Sequence, residues 1–350
     1  MKILIIKLGA IGDVVRTTSF LEGLKGKYPG CQIDWVTSKG SADMLKGNGM
    51  IDNVFLVGEN VVDGEYDLVI SLDDEDEALR IATDVKKEKL VGGYFDGDGE
   101  KKYTDDSAKW FDMGLTSRFG KERADEMKKE NGRTYQLIIA EMLGIEVKDM
   151  VLNLSDDETR FGKGFSERKG FGGVGGDDCA RESHGLVIGL NTGAGKRWPL
   201  KKLDVSKTIS LADRLVEEMG AKVMLFGGPE EEERNSRILE GVKLDVRDSV
   251  IDAGCNNSLR EFSALVNLCD VVVVSDSLAM HIAIALKKKV VVFFGPTSAA
   301  EIELYGRGKK VVARNECACC YRKECDVSPS CMDDITVDEL FEGVRGVIGS

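Results

Sequence analysis

The residues best suited to chemistry lie where a run of four valines ends. Val271–Val274 predicts a strand buried on both faces, and Ser275, Asp276 and Ser277 follow it directly. His281, one of only two histidines, comes where an apolar helical pattern begins. In open α/β sheets, ligands bind at the carboxyl ends of strands, where helix N-termini attract phosphate. The segment predicts either a ligand-binding turn or a helix capped by Ser275 or Asp276 beside a partly buried histidine.

A glycine turn follows the first apolar run of the chain. Its sequence, Gly9-x-x-Gly12-Asp13, lacks the full set of three glycines found in the dinucleotide-binding fingerprint. The glycines still allow a tight turn and a close approach of the backbone to a ligand. Asp13 at the start of the predicted helix is therefore a candidate acid–base group, with a helix cap as the structural alternative.

Two further turns carry charge in the second half of the chain. Lys196 lies in the glycine-bearing turn 191–199, where a compact cation and nearby N–H groups could bind phosphate. The spacing is not that of a nucleoside-triphosphatase loop, and a solvated surface lysine is the alternative. The run Glu230–Glu233 either begins a helix favourably or offers a carboxylate to the hydroxyls of a ribose.

Four cysteines near the C-terminus form a separate candidate site. Cys317, Cys320, Cys325 and Cys331 could hold a structural zinc ion in a tetrahedral thiolate site. Their spacing departs from a standard zinc finger because the second pair is not separated by two residues. Disulfides and free buried thiols are the alternatives, and the sequence leaves all three open.

Composition and charge exclude several classes of protein. The net charge of −13 argues against a nucleic-acid partner, which would require a basic patch. No apolar run approaches the roughly 20 residues of a membrane span. We therefore expect a cytoplasmic protein without a transmembrane segment, which could bind peripherally to the inner face of the cell membrane.

The chain shows two successive rounds of alternating strand and helix patterns. Each round predicts a parallel, doubly wound α/β sheet. A stretch rich in glycine and charge over residues 160–183 separates them. We predict one Rossmann-like domain over residues 1–175, a second over 185–334 and a C-terminal helix over 335–350, with a cleft between the domains. Residues 96–130 predict long loops and surface helices.

Taken together, the motifs resemble glycosyltransferase family 9, the family of the lipopolysaccharide heptosyltransferases. The resemblance covers nearly the whole chain, and the order of the motifs makes it specific. The matching segments are residues 2–18, 191–200, 226–231, 275–281 and 294–297.

The resemblance implies a GT-B type fold, with two Rossmann-like domains facing a central cleft. It implies inverting transfer, without a metal required for catalysis, of a heptose-like sugar from an ADP-sugar to a glycan or glycolipid hydroxyl. Asp13 would be the catalytic base on the acceptor-side turn of Gly9 and Gly12. The resemblance places the donor contacts at Thr192 and Lys196 (phosphate), Glu231 (ribose), Asn257 (nucleobase, through the backbone), and Asp276, Ser277 and His281 (sugar and diphosphate).

Two departures from the family pattern leave alternatives open. Leu278 stands where the family usually has glycine, so the donor is less narrowly defined. The polar residues 96–130, in the presumed acceptor half, match no recognisable pattern. A transferase of the same fold with another nucleotide sugar and a non-catalytic nucleotide-sugar-binding protein are the alternatives. The incomplete glycine fingerprint disfavours a Rossmann dehydrogenase.

Overall fold

The computed structural model describes residues 1–60, 62–170, 185–195 and 198–349. The chain divides into two compact units. The first comprises Met1–Asn153 with Ala300–Glu303, and the second comprises Leu154–Ala299 with Leu304–Ser350.

The first unit is built on a six-stranded sheet with strand order β3-β2-β1-β4-β5-β6. Its strands are β1 (Lys2–Ile6), β2 (Gln32–Thr37), β3 (Asn53–Leu56), β4 (Glu65–Ser71), β5 (Lys86–Phe95) and β6 (Lys101–Tyr103). All neighbours are parallel except β6, which runs antiparallel to β5. Strand β1 is apolar throughout because both of its faces are covered: Ile3 and Ile5 join one core cluster, and Leu4 and Ile6 join another.

Short helices connect these strands. They are α1 (Ile11–Thr17), α2 (Leu21–Lys27), α3 (Lys39–Ala42), α4 (Asp76–Asp84), α5 (Ala108–Phe111), α6 (Lys121–Glu130) and α7 (Tyr135–Leu143). Helix α7 begins where the side chain of Thr134 accepts a hydrogen bond from the Leu137 N–H, and it ends at Gly144 in the left-handed conformation. Residues 96–130, for which the sequence predicts loops and surface helices, also contain strand β6, which extends the sheet.

The second unit contains a fully parallel six-stranded sheet with strand order β12-β11-β10-β7-β8-β9. Its strands are β7 (Val187–Asn191), β8 (Lys222–Phe226), β9 (Val250–Asp252), β10 (Val271–Ser275), β11 (Lys289–Phe294) and β12 (Gly308–Val312). Every residue of β10 is buried, as the run of valines predicts for a central strand.

The helices of the second unit cover its sheet. They are α8 (Asp156–Arg168), α9 (Val205–Met219), α10 (Glu232–Gly241), α11 (Leu259–Val266), α12 (Leu278–Ala285), α13 (Cys331–Asp334) and α14 (Val337–Ile348). Helix α14, the predicted C-terminal helix, buries Leu340, Phe341 and Val344 in the core of this unit.

Helix α8 explains where the chain divides. The sequence predicted the domain boundary within residues 160–183, but the first unit ends at Asn153. Helix α8 belongs to the second unit because its Gly162 lies against the Ala264 carbonyl of α11, and Glu158 pairs with Arg260 at 2.6 Å. That arginine holds the pKa of Glu158 near 2, well below its usual range.

Both sheets have the 3-2-1-4-5-6 strand order of a Rossmann fold, which confirms the predicted α/β class. In such sheets the direction of winding reverses between the first and fourth strands, and a crevice opens at their carboxyl ends. The two reversal points lie between β1 and β4 and between β7 and β10. The residues that follow these four strands are therefore the candidates for a ligand-binding site.

Candidate functional site

Asp13 lies in the first turn of α1, directly beyond the carboxyl end of β1. The residue at the N-cap position is Ala10, so Asp13 is not the helix cap that the structural alternative proposed. Its side chain is 32% exposed, which leaves the carboxylate accessible. Apart from the two chain neighbours of Gly9, no atom of the described residues lies within 4 Å of where its side chain would start, so these residues leave open space beside the turn. Gly12 is buried within α1.

Arg16 holds the Asp13 carboxylate from one side. Its Nε lies 3.1 Å from Asp13 Oδ1, one helical turn away. The guanidinium stacks over the ring of Tyr135, 3.9 Å from the ring centroid, and lies 5.5 Å from that of Trp110. The side chain of Arg16 is only 10% exposed, so these contacts fix its position. Arg16 in turn holds the Asp13 carboxylate in one orientation.

A buried ion pair lies beneath Asp13 at the reversal point of the first sheet. Lys7 follows β1, Asp73 follows β4, and the ammonium and carboxylate bond directly, with side chains only 8% and 5% exposed. Lys7 also donates to the Leu72 carbonyl, while Asp73 accepts the Leu8 N–H. Burial alone would lower the pKa of Lys7, but Asp73 and then Asp13 outweigh it and raise the pKa above its usual value.

The segment that matched no recognisable pattern supplies one wall of this site. A cavity of about 170 Å³ brings Asp13, Arg16 and the Lys7–Asp73 pair together with residues from α5, the following turn and α6. These added lining residues are Trp110, Phe111, Met113, Gly114, Leu115, Thr116 and Lys128. Residues 108–128 therefore line the cavity opposite Asp13 and its neighbours.

Asp276 lies at the reversal point of the second sheet, directly after β10. Its carboxylate accepts a hydrogen bond of 2.8 Å from Lys201 Nζ, which also donates to the Asp276 carbonyl at 2.9 Å. Burial would raise the pKa of this carboxyl, but the charge and hydrogen bond of Lys201 outweigh it and lower the pKa. Asp276 is therefore an ionised, hydrogen-bonding carboxylate, and its partner Lys201 could not be predicted from the local sequence.

Ser277 and His281 lie on the helix that begins beside Asp276. Helix α12 starts at Leu278, and the residue at its N-cap position is Ser277, without a capping bond from its side chain. The proposed caps Ser275 and Asp276 therefore both precede the helix. The Ser277 hydroxyl is buried and has no hydrogen-bond partner in the described residues, a feature typical of a group that meets a ligand. His281 is buried in the first turn of α12, and its predicted contact with the donor stays a prediction.

The two predicted phosphate contacts after β7 have different outcomes. The Thr192 hydroxyl is 2.9 Å from the Phe226 carbonyl and 2.6 Å from Asn235 Oδ1, so it ties the β7 turn to its neighbours. Its one hydroxyl proton is directed to these acceptors, and a phosphate oxygen needs a donor, so the predicted phosphate contact of Thr192 stays a prediction. Lys196 lies outside the described residues.

The predicted ribose and nucleobase contacts follow β8 and β9. Glu231 is buried, with one carboxylate oxygen 2.6 Å from Lys202 Nζ and the other accepting the Gly228 N–H at 2.9 Å. Asn257 turns its amide inward to the carbonyls of Ala253 and Gly254. The predicted nucleobase contact through the backbone of Asn257 stays a prediction.

The four C-terminal cysteines lie near one another but not in a metal-binding arrangement. All four are free thiols, and Cys331 is buried. Burial, followed by the nearby Cys320, Cys317 and Cys325, raises the pKa of the Cys331 thiol to about 11. Within the described ranges, no group of three or more His, Cys, Asp or Glu side chains could hold a metal ion. The predicted zinc site therefore stays a prediction.

A larger groove lies away from both reversal points. It has a volume of about 690 Å³ and runs between the edge strand β12 and helix α14. Its lining consists of strand and helix flanks and not of strand carboxyl ends. The candidate ligand-binding sites are therefore the smaller cavity around Asp13 and the turns around Asp276. Among the described helices, none is long and apolar enough to cross a membrane.

Comparison with known proteins connects this geometry to a family. The family model described as glycosyltransferase family 9 (heptosyltransferase) matches residues 134–330, more than half of the chain. Lipooligosaccharide heptosyltransferase 2 of Haemophilus influenzae is 31% identical over 114 residues, which are 33% of this chain and 31% of that protein. The matched segment thus spans about a third of that relative. Lipopolysaccharide heptosyltransferase 1 of Salmonella typhimurium is 23% identical over 91% of this chain and 94% of its own length.

Solved structures match over the whole chain. The family 9 glycosyl transferase from Veillonella parvula has a TM-score of 0.72 at 19% identity, covering 100% of this chain and 97% of its own. Escherichia coli heptosyltransferase WaaC, solved with ADP-2-deoxy-2-fluoro heptose, has a TM-score of 0.59 at 18% identity, covering 99% of both chains. These likenesses support the GT-B type fold, and together with the match over residues 134–330 they show that the chain belongs to glycosyltransferase family 9.

Proposed function

We propose that this chain is an inverting, metal-independent glycosyltransferase. It moves a heptose-like sugar from an ADP-sugar to a hydroxyl of a lipopolysaccharide-type glycan or glycolipid. The observation that carries the proposal is the accessible Asp13 carboxylate, oriented by Arg16 in a pocket at the reversal point of the first sheet. The named activity of the relatives and the ADP-sugar analogue in the Escherichia coli structure support the choice of reaction and donor.

The reaction requires one protein carboxylate that acts as a base on the acceptor hydroxyl. Asp13 takes the proton of the acceptor hydroxyl, whose oxygen forms a bond to the anomeric carbon of the donor. The bond from that carbon to the diphosphate breaks, and its electron pair leaves with the nucleoside diphosphate. Attack opposite the leaving group inverts the anomeric centre. Arg16 contributes by holding the carboxylate in one orientation.

The donor is assigned to the second unit. Lys196 would offer its cation to the diphosphate, and the unpartnered hydroxyl of Ser277 and the N-terminal end of α12 would add hydrogen-bond donors. Asp276 would accept hydrogen bonds from sugar hydroxyls, and Glu231 from those of the ribose. Lys196, the Ser277 hydroxyl and the N-terminal end of α12 would stabilise the charge that develops on the leaving diphosphate without a metal ion.

A transfer assay tests the proposal. The protein is incubated with ADP-heptose and a deacylated lipopolysaccharide core acceptor, with and without a chelator, and ADP release is measured. We expect acceptor-dependent ADP release that the chelator does not reduce, and a product whose anomeric configuration, by NMR, is opposite to that of the donor. Retained configuration, or activity abolished by the chelator and restored by a divalent ion, would contradict the mechanism.

One observation favours a second candidate, a transferase with a different nucleotide sugar. Leu278, at the first position of α12, places a branched side chain beside the turn where the family pattern has glycine. The same assay with UDP- and GDP-sugars separates the candidates. Turnover of one of these donors in preference to ADP-heptose would favour the second candidate.

Lys196→Ala tests the phosphate contact. Loss of a charge-assisted contact should weaken ADP binding by about 1.5–3 kcal/mol. Calorimetric titration of wild type and variant measures this difference, with Lys243→Ala, an exposed lysine paired with Glu217 in the same unit, as the matched control. Equal affinities for the Lys196 variant and wild type would rule out the phosphate role.

A structural zinc ion at the cysteines is a separate proposal with its own test. If Cys317, Cys320, Cys325 and Cys331 bind zinc, elemental analysis of the purified protein should give about one metal per chain. The thiol protons, including that of the Cys331 thiol with its raised pKa, would have to leave as the metal binds. A folded, metal-free protein with four titratable thiols would exclude the zinc site and leave free thiols.

We also propose a cytoplasmic location with peripheral contact at the inner face of the cell membrane. Leu115 and Phe119 are 82% and 54% exposed, and Leu115 lines the Asp13 cavity, so exposed apolar side chains lie at and near this cavity. Cosedimentation with acidic phospholipid vesicles tests the contact. Wild-type protein should pellet with the vesicles, and a Leu115→Ser/Phe119→Ser variant should stay in the supernatant. Equal partitioning of both proteins would reject the surface.

A further inference from the structure

We infer that Lys201 and Lys202 are positioning residues that balance the charge of the donor site. Each pairs with one of the two carboxylates assigned to the donor, Lys201 with Asp276 and Lys202 with Glu231. The inference rests on the proposed function, because it concerns how a nucleoside diphosphate can bind where two buried carboxylates lie.

The geometry places Lys201 behind its carboxylate. Its side chain is 9% exposed, whereas that of Asp276 is 19% exposed, so the carboxylate is the group that a ligand meets. Lys201 Nζ reaches both the carboxylate and the carbonyl of Asp276, at 2.8 and 2.9 Å, and lies 5.1 Å from the ring centroid of Trp198. An ammonium held by three groups on three sides is fixed in place and does not reach outward to a phosphate.

Lys202 also pairs with a carboxylate, at the neighbouring strand, but here the carboxylate is the more buried partner. Its Nζ lies 2.6 Å from Glu231, whose side chain is 4% exposed while that of Lys202 is 23% exposed. Because the two lysines are adjacent in sequence, the short helical turn Pro199–Lys201 and the residue after it direct one cation towards β10 and the other towards β8. One short segment thus neutralises a carboxylate on each side of β7.

Electrostatics gives this arrangement a function. A diphosphate carries at least two negative charges, and an uncompensated carboxylate beside it repels it in a poorly solvated site. Protonating the carboxylates would remove the repulsion but also the hydrogen-bond acceptors for the hydroxyls of the sugar and ribose. A lysine paired with each carboxylate keeps the hydrogen-bond acceptor and cancels its charge.

The test compares ADP with AMP on single and double variants of the full chain. In Lys201→Met, calorimetry should show ADP affinity reduced roughly tenfold or more, and AMP affinity reduced less because AMP carries less charge. A purely structural role would reduce both affinities together. Lys243→Met, which breaks an exposed lysine–glutamate pair of the same unit, is the matched control and should leave both affinities unchanged.

The double variant Lys201→Met/Asp276→Asn separates charge balance from direct contact and from misfolding. ADP has no transferred sugar, so it loses no contact when Asp276 becomes asparagine. If Lys201 acts by cancelling that charge, the double variant should recover ADP affinity to within about threefold of wild type and regain any lost melting temperature. A double variant that binds ADP as weakly as the single variant would overturn the inference, as would a folded Lys201→Met with wild-type affinity.

The outcome for wild-type protein separates this inference from the function on which it rests. If wild type binds ADP and the variants do not behave as described, the inference alone fails. If wild type does not bind ADP, the proposed ADP-sugar donor fails, and the charge-balancing role for it fails as well.

Discussion

Asp13→Asn should reduce the rate of sugar transfer roughly 10²–10⁴-fold, the usual cost of losing a general base. The amide retains the shape of the side chain and can still accept a hydrogen bond from Arg16, but it cannot take a proton. ADP affinity should barely change, because the donor contacts are assigned to the other unit. The measurement combines the transfer rate, ADP affinity by calorimetry and the melting temperature of the same preparation.

Asp43→Asn is the matched control. Asp43 also pairs with a basic residue three positions along the chain, Lys46, in the same unit, but its side chain is 49% exposed and it does not line the Asp13 cavity. This variant should retain full activity. An Asp13→Asn protein with wild-type activity would refute the assignment of the base, and lost activity with an equal loss of stability would favour a structural role for Asp13.

Lys7→Met should destabilise the first unit by about 3–5 kcal/mol, because it leaves the buried Asp73 carboxylate without its partner. Both side chains are less than one-tenth exposed, so water cannot replace the lost ammonium. Thermal unfolding followed by tryptophan fluorescence measures the effect, since Trp35 and Trp110 report on the first unit and Trp198 on the second. In the Lys7→Met variant, the emission of Trp35 and Trp110 should change at a lower temperature than in wild type, because the first unit unfolds earlier.

Two further variants decide whether the ion pair explains that loss. Lys86→Met breaks the pair between Lys86 and Glu65 on the same sheet, where both side chains are more than three-quarters exposed, so it should change stability very little. Lys7→Met/Asp73→Asn removes both buried charges and should regain much of the lost stability. A double variant as unstable as Lys7→Met would mean that packing of the lysine, and not its charge, supports the turn.

The sequence predicted the elements that depend on local pattern. The valines of β10 and the apolar run of β1 were recognisable as buried strands, and the fold class followed from the alternation of strands and helices. Asp276 was found because it follows such a strand directly, and Asp13 because it lies after the glycine turn that follows one, at the edge where α/β proteins bind ligands. These predictions needed only residue type, periodicity and position relative to a strand end.

The partners of these carboxylates could not be predicted in the same way. Lys7 meets Asp73 across 66 residues, and Lys201 meets Asp276 across 75. Nothing in the local sequence distinguishes Lys201 from a solvated surface lysine, because its burial is decided by a strand far along the chain. One signal was available for Lys7 and Asp73: both follow parallel strands, β1 and β4, that are neighbours in a Rossmann sheet.

The sequence-based prediction for residues 96–130 was incomplete for a different reason. Its dense mixed charge indicated surface loops, and many of its side chains do form exposed ion pairs, such as Arg123 with Glu126. Between them, however, Trp110 and Phe111 pack inward at the Asp13 cavity. Two aromatic residues within a charged stretch have no periodicity, so the sequence could not place them beside Asp13.

Calorimetric titration of wild-type protein with ADP-heptose, ADP, UDP and GDP tests the central claim, a donor site for an ADP-sugar, most directly. The account predicts saturable one-to-one binding of ADP-heptose and ADP that does not depend on added metal, with weaker binding of UDP and GDP. Absence of binding by all four ligands to folded protein would contradict it.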